Sequence, residues 1–332
     1  RNARREVQNL QAECPFDAAI HVGYGSYWLP SPVVDFGIPS VWGPVGGATT
    51  TPLRMLPLLG WKGLLGEFEG RLAIGLMSRL PSTRRARDRA TIRLAETPET
   101  IAKLPISLQP GTMVVNRAAL SRVPQVEPRE RADYLLFPSA LQGRKGARLV
   151  LRALSATPAS VHLRFVCDGY EEPWLRKKTK KLGLEQRVDF HGRIPREKMF
   201  EMMSEAAGVV FAGLREEGGC GLAEAMLVGA PVIVLAYSGA KVIAQTNTDP
   251  ARVALIAARN PRQAAGDMSR AMVAFTTSPS TVHGSTLDQS AVEKVLCSAV
   301  IKAIAHDAAS AAADPPVGPG QIDLDASSSA TF

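Results

Sequence analysis

Short unbroken apolar runs alternate with segments of helical period through the second half of this chain. Leu135-Leu136-Phe137 precedes a helical stretch from Ala147 to Ser155, and Leu163 to Val166 precedes one from Glu172 to Leu182. Val188-Asp189-Phe190 leads to Arg196 to Ala206, and Gly208 to Phe211 leads to a helix start at Leu222 to Leu227, with a further run at Pro231 to Leu235. Apolar runs of this length fit strands covered on both faces, and strand–helix alternation calls for crossovers between parallel strands. The pattern predicts a doubly wound domain that binds its ligand beyond the carboxyl ends of its strands.

The first half has the same rhythm in weaker form. Arg1 to Leu10 reads as the end of a helix. Phe16 to His21 reads as a strand ending at His21, and Pro39 to Trp42 as another, ending in the turn Gly43-Pro44-Val45-Gly46-Gly47. Leu53 to Leu80 carries apolar residues at helical spacing, with Pro57 breaking it near the start, and Ala90 to Leu94 and Met113 to Val115 are further strands. Val123 to Arg131 is proline-rich and charged, which sets a boundary. The expected units are residues 1–125, residues 126–306, and a disordered tail over 307–332, rich in Ala, Ser, Asp and Pro.

Composition narrows the partners. A hydrophobic fraction of 45% over 332 residues supports two folded domains. The net charge of +8 suits phosphorylated ligands, nucleic acid or anionic lipid. No motif interleaves aromatic and basic residues, so nucleic acid is set aside. Cys14, Cys167, Cys220 and Cys297 form no C-x-x-C pair, which argues against a zinc site and fits a reducing compartment. No apolar run approaches bilayer length, and no apolar segment follows the charged start as in a signal peptide. The expected location is the cytoplasm, with the inner membrane face as a peripheral contact. That contact rests on Leu53 to Arg89, where leucines and Trp61 mix with Lys62 and the stretch closes on Arg84-Arg85-Ala86-Arg87. The segment is read first as an interdomain helix with its apolar face in the core. Its second reading is an amphipathic surface for anionic lipid.

The densest chemistry lies at Leu214 to Met226, where Glu216 and Glu224 bracket the turn Glu217-Gly218-Gly219 between a strand and a helix. Glycines let backbone approach a ligand, a helix start offers N–H groups to an anion, and carboxylates accept from sugar hydroxyls. The alternative is a tight turn with two solvated glutamates.

The E-x(7)-E spacing of Glu216 and Glu224, followed by Ala225-Met226 and by Gly229-Ala230-Pro231-Val232-Ile233, resembles the signature of family 4 glycosyltransferases. The resemblance implies a GT-B fold, two Rossmann-like α/β domains facing across a cleft. It implies that Glu216 contacts the donor sugar, that Glu224 contacts the nucleotide ribose, and that the N–H groups of Glu217, Gly218 and Gly219 face the sugar and diphosphate. Lys145 in Gly143-Arg144-Lys145-Gly146 would pair with the diphosphate. The family's arginine five residues earlier is Ala140 here, with Arg144 as a candidate substitute. Both cations otherwise read as a solvated basic loop. The base would lie near Arg193 and Ile194, His21 near the donor sugar, and Gly46 and Gly47 on the acceptor side. The family's first glycine-rich loop has no counterpart, so the N-terminal domain is expected to be incomplete upstream of Arg1. The implied activity is metal-independent, retaining sugar transfer from a nucleotide-diphosphate donor to a glycan, lipid or small-molecule hydroxyl, with no cofactor. Its alternatives are a nucleotide-sugar epimerase and a non-catalytic nucleotide-sugar binder or broken enzyme, and the missing loop with Ala140 makes the expected activity of the chain as given feeble or absent.

Overall fold

The computed structural model describes residues 2–313 except 23, 24, 30, 105–110, 121, 128, 129 and 283. Two parallel-sheet α/β domains of Rossmann type make up the fold. The first sheet has four strands in the order β1 (Ala19–His21), β2 (Ser40–Val45), β3 (Ile92–Ala95), β4 (Thr112–Val114). Every neighbouring pair in it is parallel. The second sheet contains β5 (Tyr134–Phe137), β6 (His162–Val166), β7 (Val188–Gly192), β8 (Gly208–Phe211), β9 (Val232–Ala236) and β10 (Val253–Ala257). Its order is β10-β9-β8-β5-β6-β7, again all parallel. The chain order therefore reverses between β5 and β8, and a doubly wound sheet opens its ligand crevice at such a point.

Burial explains why the strands were legible. All residues of β5 and β8 are buried, as is β9 up to its last residue, so each reads as a continuous apolar run. The crossover helices are α5 (Ala147–Leu154), α6 (Glu172–Lys181), α7 (Arg196–Glu205) and α8 (Cys220–Leu227). Helix α5 buries six of its eight residues, beneath α10 (Pro261–Thr277).

Two helices depart from expectation. The segment from Leu53 splits into a 3-10 turn over Leu53–Leu58, containing Pro57, and a long helix over Gly60–Met77. The first reading of that helix, with its apolar face in the core, is overturned. Leu58 and Leu59 are buried, but Trp61, Leu64, Leu65, Phe68, Leu72 and Leu76 are exposed. The last helix, α11 (Gln289–Ala313), carries order seven residues past the predicted start of the tail, and residues 314–332 lie outside those described. Helix α11 also returns to the first sheet, packing on β2 and β3. One apolar cluster runs from Val41, Ile92 and Leu94 through Val292, Ala299 and Ala303 to Val209 and Val232, so the two sheets share a core.

Candidate active site

The crevice at the reversal between β5 and β8 is occupied by a cavity of about 380 Å³. Ala140 and Lys145 line it from the β5 side, and Glu216, Gly218, Gly219 and Cys220 from the β8 side. Lys145 lies in the one-turn helix Gly143–Lys145 after β5, and the left-handed Gly146 (φ 77°) then starts α5. Leu214 N donates to Arg144 O at 2.8 Å, joining the two loops that flank the crevice.

Lys145 Nζ is bonded to Glu216 Oε2, and both side chains are about four-fifths buried. Glu216 Oε1 accepts from Gly219 N at 3.3 Å. Gly219 is left-handed (φ 60°) and starts α8, a conformation that a β-carbon would strain. The result is a cation, a carboxylate and a helix N-terminus around one cavity, a combination suited to an anion that carries a hydroxylated group.

The first domain closes against the same turn. Glu217 Oε1 accepts from Thr49 N at 2.7 Å, and Asn116 Nδ2 donates to Glu217 O at 2.8 Å. The Thr49 hydroxyl lies 2.9 Å from Ser238 Oγ and 3.2 Å from Thr97 Oγ1. Tyr237 OH donates to Thr50 O at 2.6 Å. Gly239 N donates to Glu216 O at 2.8 Å, and a β-carbon at Gly239 would overlap the Glu217 carbonyl. Only hydrogen lets α9 (Ser238–Ala244) approach the turn this closely.

A buried carboxylate, Glu96, lies at the carboxyl end of β3 and was not singled out from sequence. A single Glu after an apolar strand carries no motif, and only the fold brings it to Glu217. A β-carbon on Gly46 would overlap Glu96 Oε2 and stand 3.1 Å from Glu217 Oε2, so glycine here leaves room for two facing carboxylates. Glu217 Oε2 is buried without a hydrogen-bond partner. Arg117 Nε lies 2.8 Å from Glu96 Oε1. Burial pushes the Glu96 carboxyl up to about 7, with Arg117 opposing and the Glu217 charge adding to the rise.

This pair predicts a pH effect. A Glu96 pKa of about 7 against an ordinary 4.5 means that the folded state binds the extra proton. Stability should then fall as pH rises from about 4.5 through 7, by at most about 3 kcal/mol. Glu96→Gln should flatten that loss between pH 5 and pH 8 in urea titrations. Parallel profiles for the two proteins would refute the assignment.

The remaining predicted residues divide. Glu224 bonds Arg196 Nη2 at 2.6 Å and sits one helix turn from the cavity-lining Cys220. Arg193 is 78% exposed and pairs with Asp168 at 2.8 Å, and Ile194 is partly buried against the shared core. Arg144 is exposed and bonded to Gln142 Oε1 at 3.1 Å, so it does not take the place left by Ala140. His21 ends β1, with Nδ1 buried and unpartnered and its pKa lowered by burial. Gly47 (φ 100°) packs on Trp28. The Cys220 pKa is raised, by the surrounding protein first and then by Glu224 and Glu216, the opposite of an activated nucleophile.

The family model for glycosyl transferases group 1 matches residues 122–272 of this chain, the segment that holds Lys145, Glu216 and Glu224. No curated protein sequence matches. Among solved structures, HepE from Anabaena in complex with UDP is 16% identical, with a TM-score of 0.52 over 90% of this chain and 81% of its own. The lipopolysaccharide outer core galactosyltransferase WaaB in its apo form is 15% identical, with a TM-score of 0.55 over 82% of this chain and 70% of its own. AviGT4, a glycosyltransferase involved in avilamycin A biosynthesis, is 14% identical, with a TM-score of 0.50 over 91% and 79%. At these identities the likeness to the three structures is one of fold.

Proposed function

We propose that this protein transfers a sugar from a nucleotide-diphosphate donor to a hydroxyl acceptor, with retention at the anomeric carbon. The observation that carries the reading is the Lys145–Glu216 pair facing the start of α8 across the cavity at the sheet reversal. A diphosphate there meets the Lys145 ammonium and the N–H groups of the glycine turn, while Glu216 accepts from sugar hydroxyls. The anomeric carbon–phosphate oxygen bond breaks and a bond to the acceptor oxygen forms. The acceptor proton passes to the departing phosphate oxygen on the same face. Lys145 and the turn N–H groups offset the charge that develops on the diphosphate.

Glu224 would hold the ribose hydroxyls after exchanging its Arg196 contact, and the loop around Arg193 and Ile194 would border the base. Gly46 and Gly47, with Glu96 beside Gly46, would border the acceptor, and His21 at the end of β1 would face the donor sugar. Glu217 would serve through its backbone N–H, since its side chain and carbonyl are tied to Thr49 and Asn116. The UDP in the HepE structure favours uridine diphosphate as the donor nucleotide. Calorimetric titration tests the reading: UDP should bind at micromolar concentration and uridine at least tenfold more weakly, because the turn recognises the diphosphate. Equal affinities would contradict it.

A further inference from the structure

The helix over Gly60–Met77, α2 in chain order, turns an unusual face to solvent. Trp61, Leu64, Leu65, Phe68, Leu72 and Leu76 are 40–71% exposed. Their three- and four-residue spacing places them in one stripe along the helix. The opposite face carries buried Gly60, Glu67 and Ile74. There Glu67 accepts from Thr51 N at 2.8 Å and from Thr51 Oγ1 at 2.9 Å, and Arg215 Nη1 stands 3.7 Å from it. The helix is therefore anchored to the loops of the candidate site, and its apolar stripe is left unpartnered.

Beside the carboxyl end of the stripe lies a second cavity, of about 460 Å³. Five cations line it: Arg71 from the helix, Arg79 just after it, Arg84 and Arg87 from α3 (Pro81–Arg89), and Lys103 from α4 (Pro98–Lys103). Gly75 also lines it, three residues from Leu72 and next to Leu76, so stripe and cavity meet there. Arg71 pairs with Glu67, and Arg87 with Asp88. Among the described residues no carboxylate pairs with Arg79, Arg84 or Lys103. Glu69 and Asp88 are the exposed acids on α2 and α3, and Asp88 is taken by Arg87.

We infer that this face seats the protein on an anionic lipid bilayer, with the apolar stripe in the acyl–headgroup boundary and the basic cavity on lipid phosphates. Both halves are needed for such a surface: apolar area supplies depth, and cations supply preference for anionic lipid. A second copy of the chain is the competing occupant of the stripe, and the state of association distinguishes the two. The inference does not depend on the proposed transfer reaction.

Flotation with vesicles tests it, using the 332-residue chain and phosphatidylcholine with or without phosphatidylglycerol. The chain should float only with the anionic vesicles. Arg84→Ser with Lys103→Ser should weaken partitioning roughly 25-fold, at about fivefold per cation. Phe68→Asp with Leu72→Asp should weaken it at least tenfold. All four positions are exposed, and an unchanged circular dichroism spectrum identifies folded variants. Light scattering should report a monomer throughout. Equal flotation on both vesicle types, undiminished flotation by the folded variants, or a wild-type dimer that the aspartates dissolve would each overturn the inference.

Discussion

Lys145→Met should weaken UDP binding about 100-fold. Among the described residues, Lys145 is the only cationic side chain lining the cavity at the sheet reversal, because Ala140 supplies none and Arg144 is turned to Gln142. Truncating one partner of a hydrogen-bonded, mostly buried charge pair costs ~3 kcal/mol, which is roughly two orders of magnitude in Kd. Methionine keeps an unbranched apolar stem and removes only the charge. Calorimetry reads the effect directly. The loss should be much smaller for uridine, which has no diphosphate, and an equal loss for both ligands would point to a collapsed cavity instead.

Glu216→Gln should separate binding from turnover. In the ligand-free protein Glu216 holds the Lys145 ammonium and competes with a diphosphate for it. Glutamine removes that competition, so UDP affinity should hold or tighten. A charged acceptor facing the sugar is lost at the same time. Removing one such electrostatic contact typically lowers turnover roughly 100- to 1000-fold. A parallel fall in UDP affinity and turnover would place Glu216 on the diphosphate rather than on the sugar.

Much of this site was legible because it is built from contiguous sequence. The glycine turn after β8 carries Glu216, Gly219 and Glu224 within nine residues, and the apolar runs of β5, β8 and β9 announce buried parallel strands on either side. What was illegible is what the chain assembles from distant parts. Glu96 meets Glu217 only because the first domain closes on the turn, and no local pattern marks an isolated buried glutamate. Thr49 and Asn116 reach Glu217 from separate strand ends for the same reason. The Gly60–Met77 helix misleads in the opposite direction. Helical spacing of apolar residues says that one face is apolar, and it is silent on whether protein or another phase covers that face. The end of order was misplaced because alanine-rich sequence was read as tail, whereas alanine is also the strongest helix former, and α11 continues through it to Ala313.

Turnover of a nucleotide-sugar tests directly whether this protein is a sugar transferase. The 332-residue chain should be incubated with UDP-sugars and a panel of hydroxyl acceptors, including vesicle-borne ones, while free UDP and the product anomer are followed. Retaining transfer requires UDP release that depends on acceptor, however slow, a product with the donor's anomeric configuration, and loss of both signals in Lys145→Met. Conversion of the donor sugar without any acceptor would instead mark an epimerase. UDP bound in the cavity with no turnover across the panel would mark a binder, and either result would contradict a transferase.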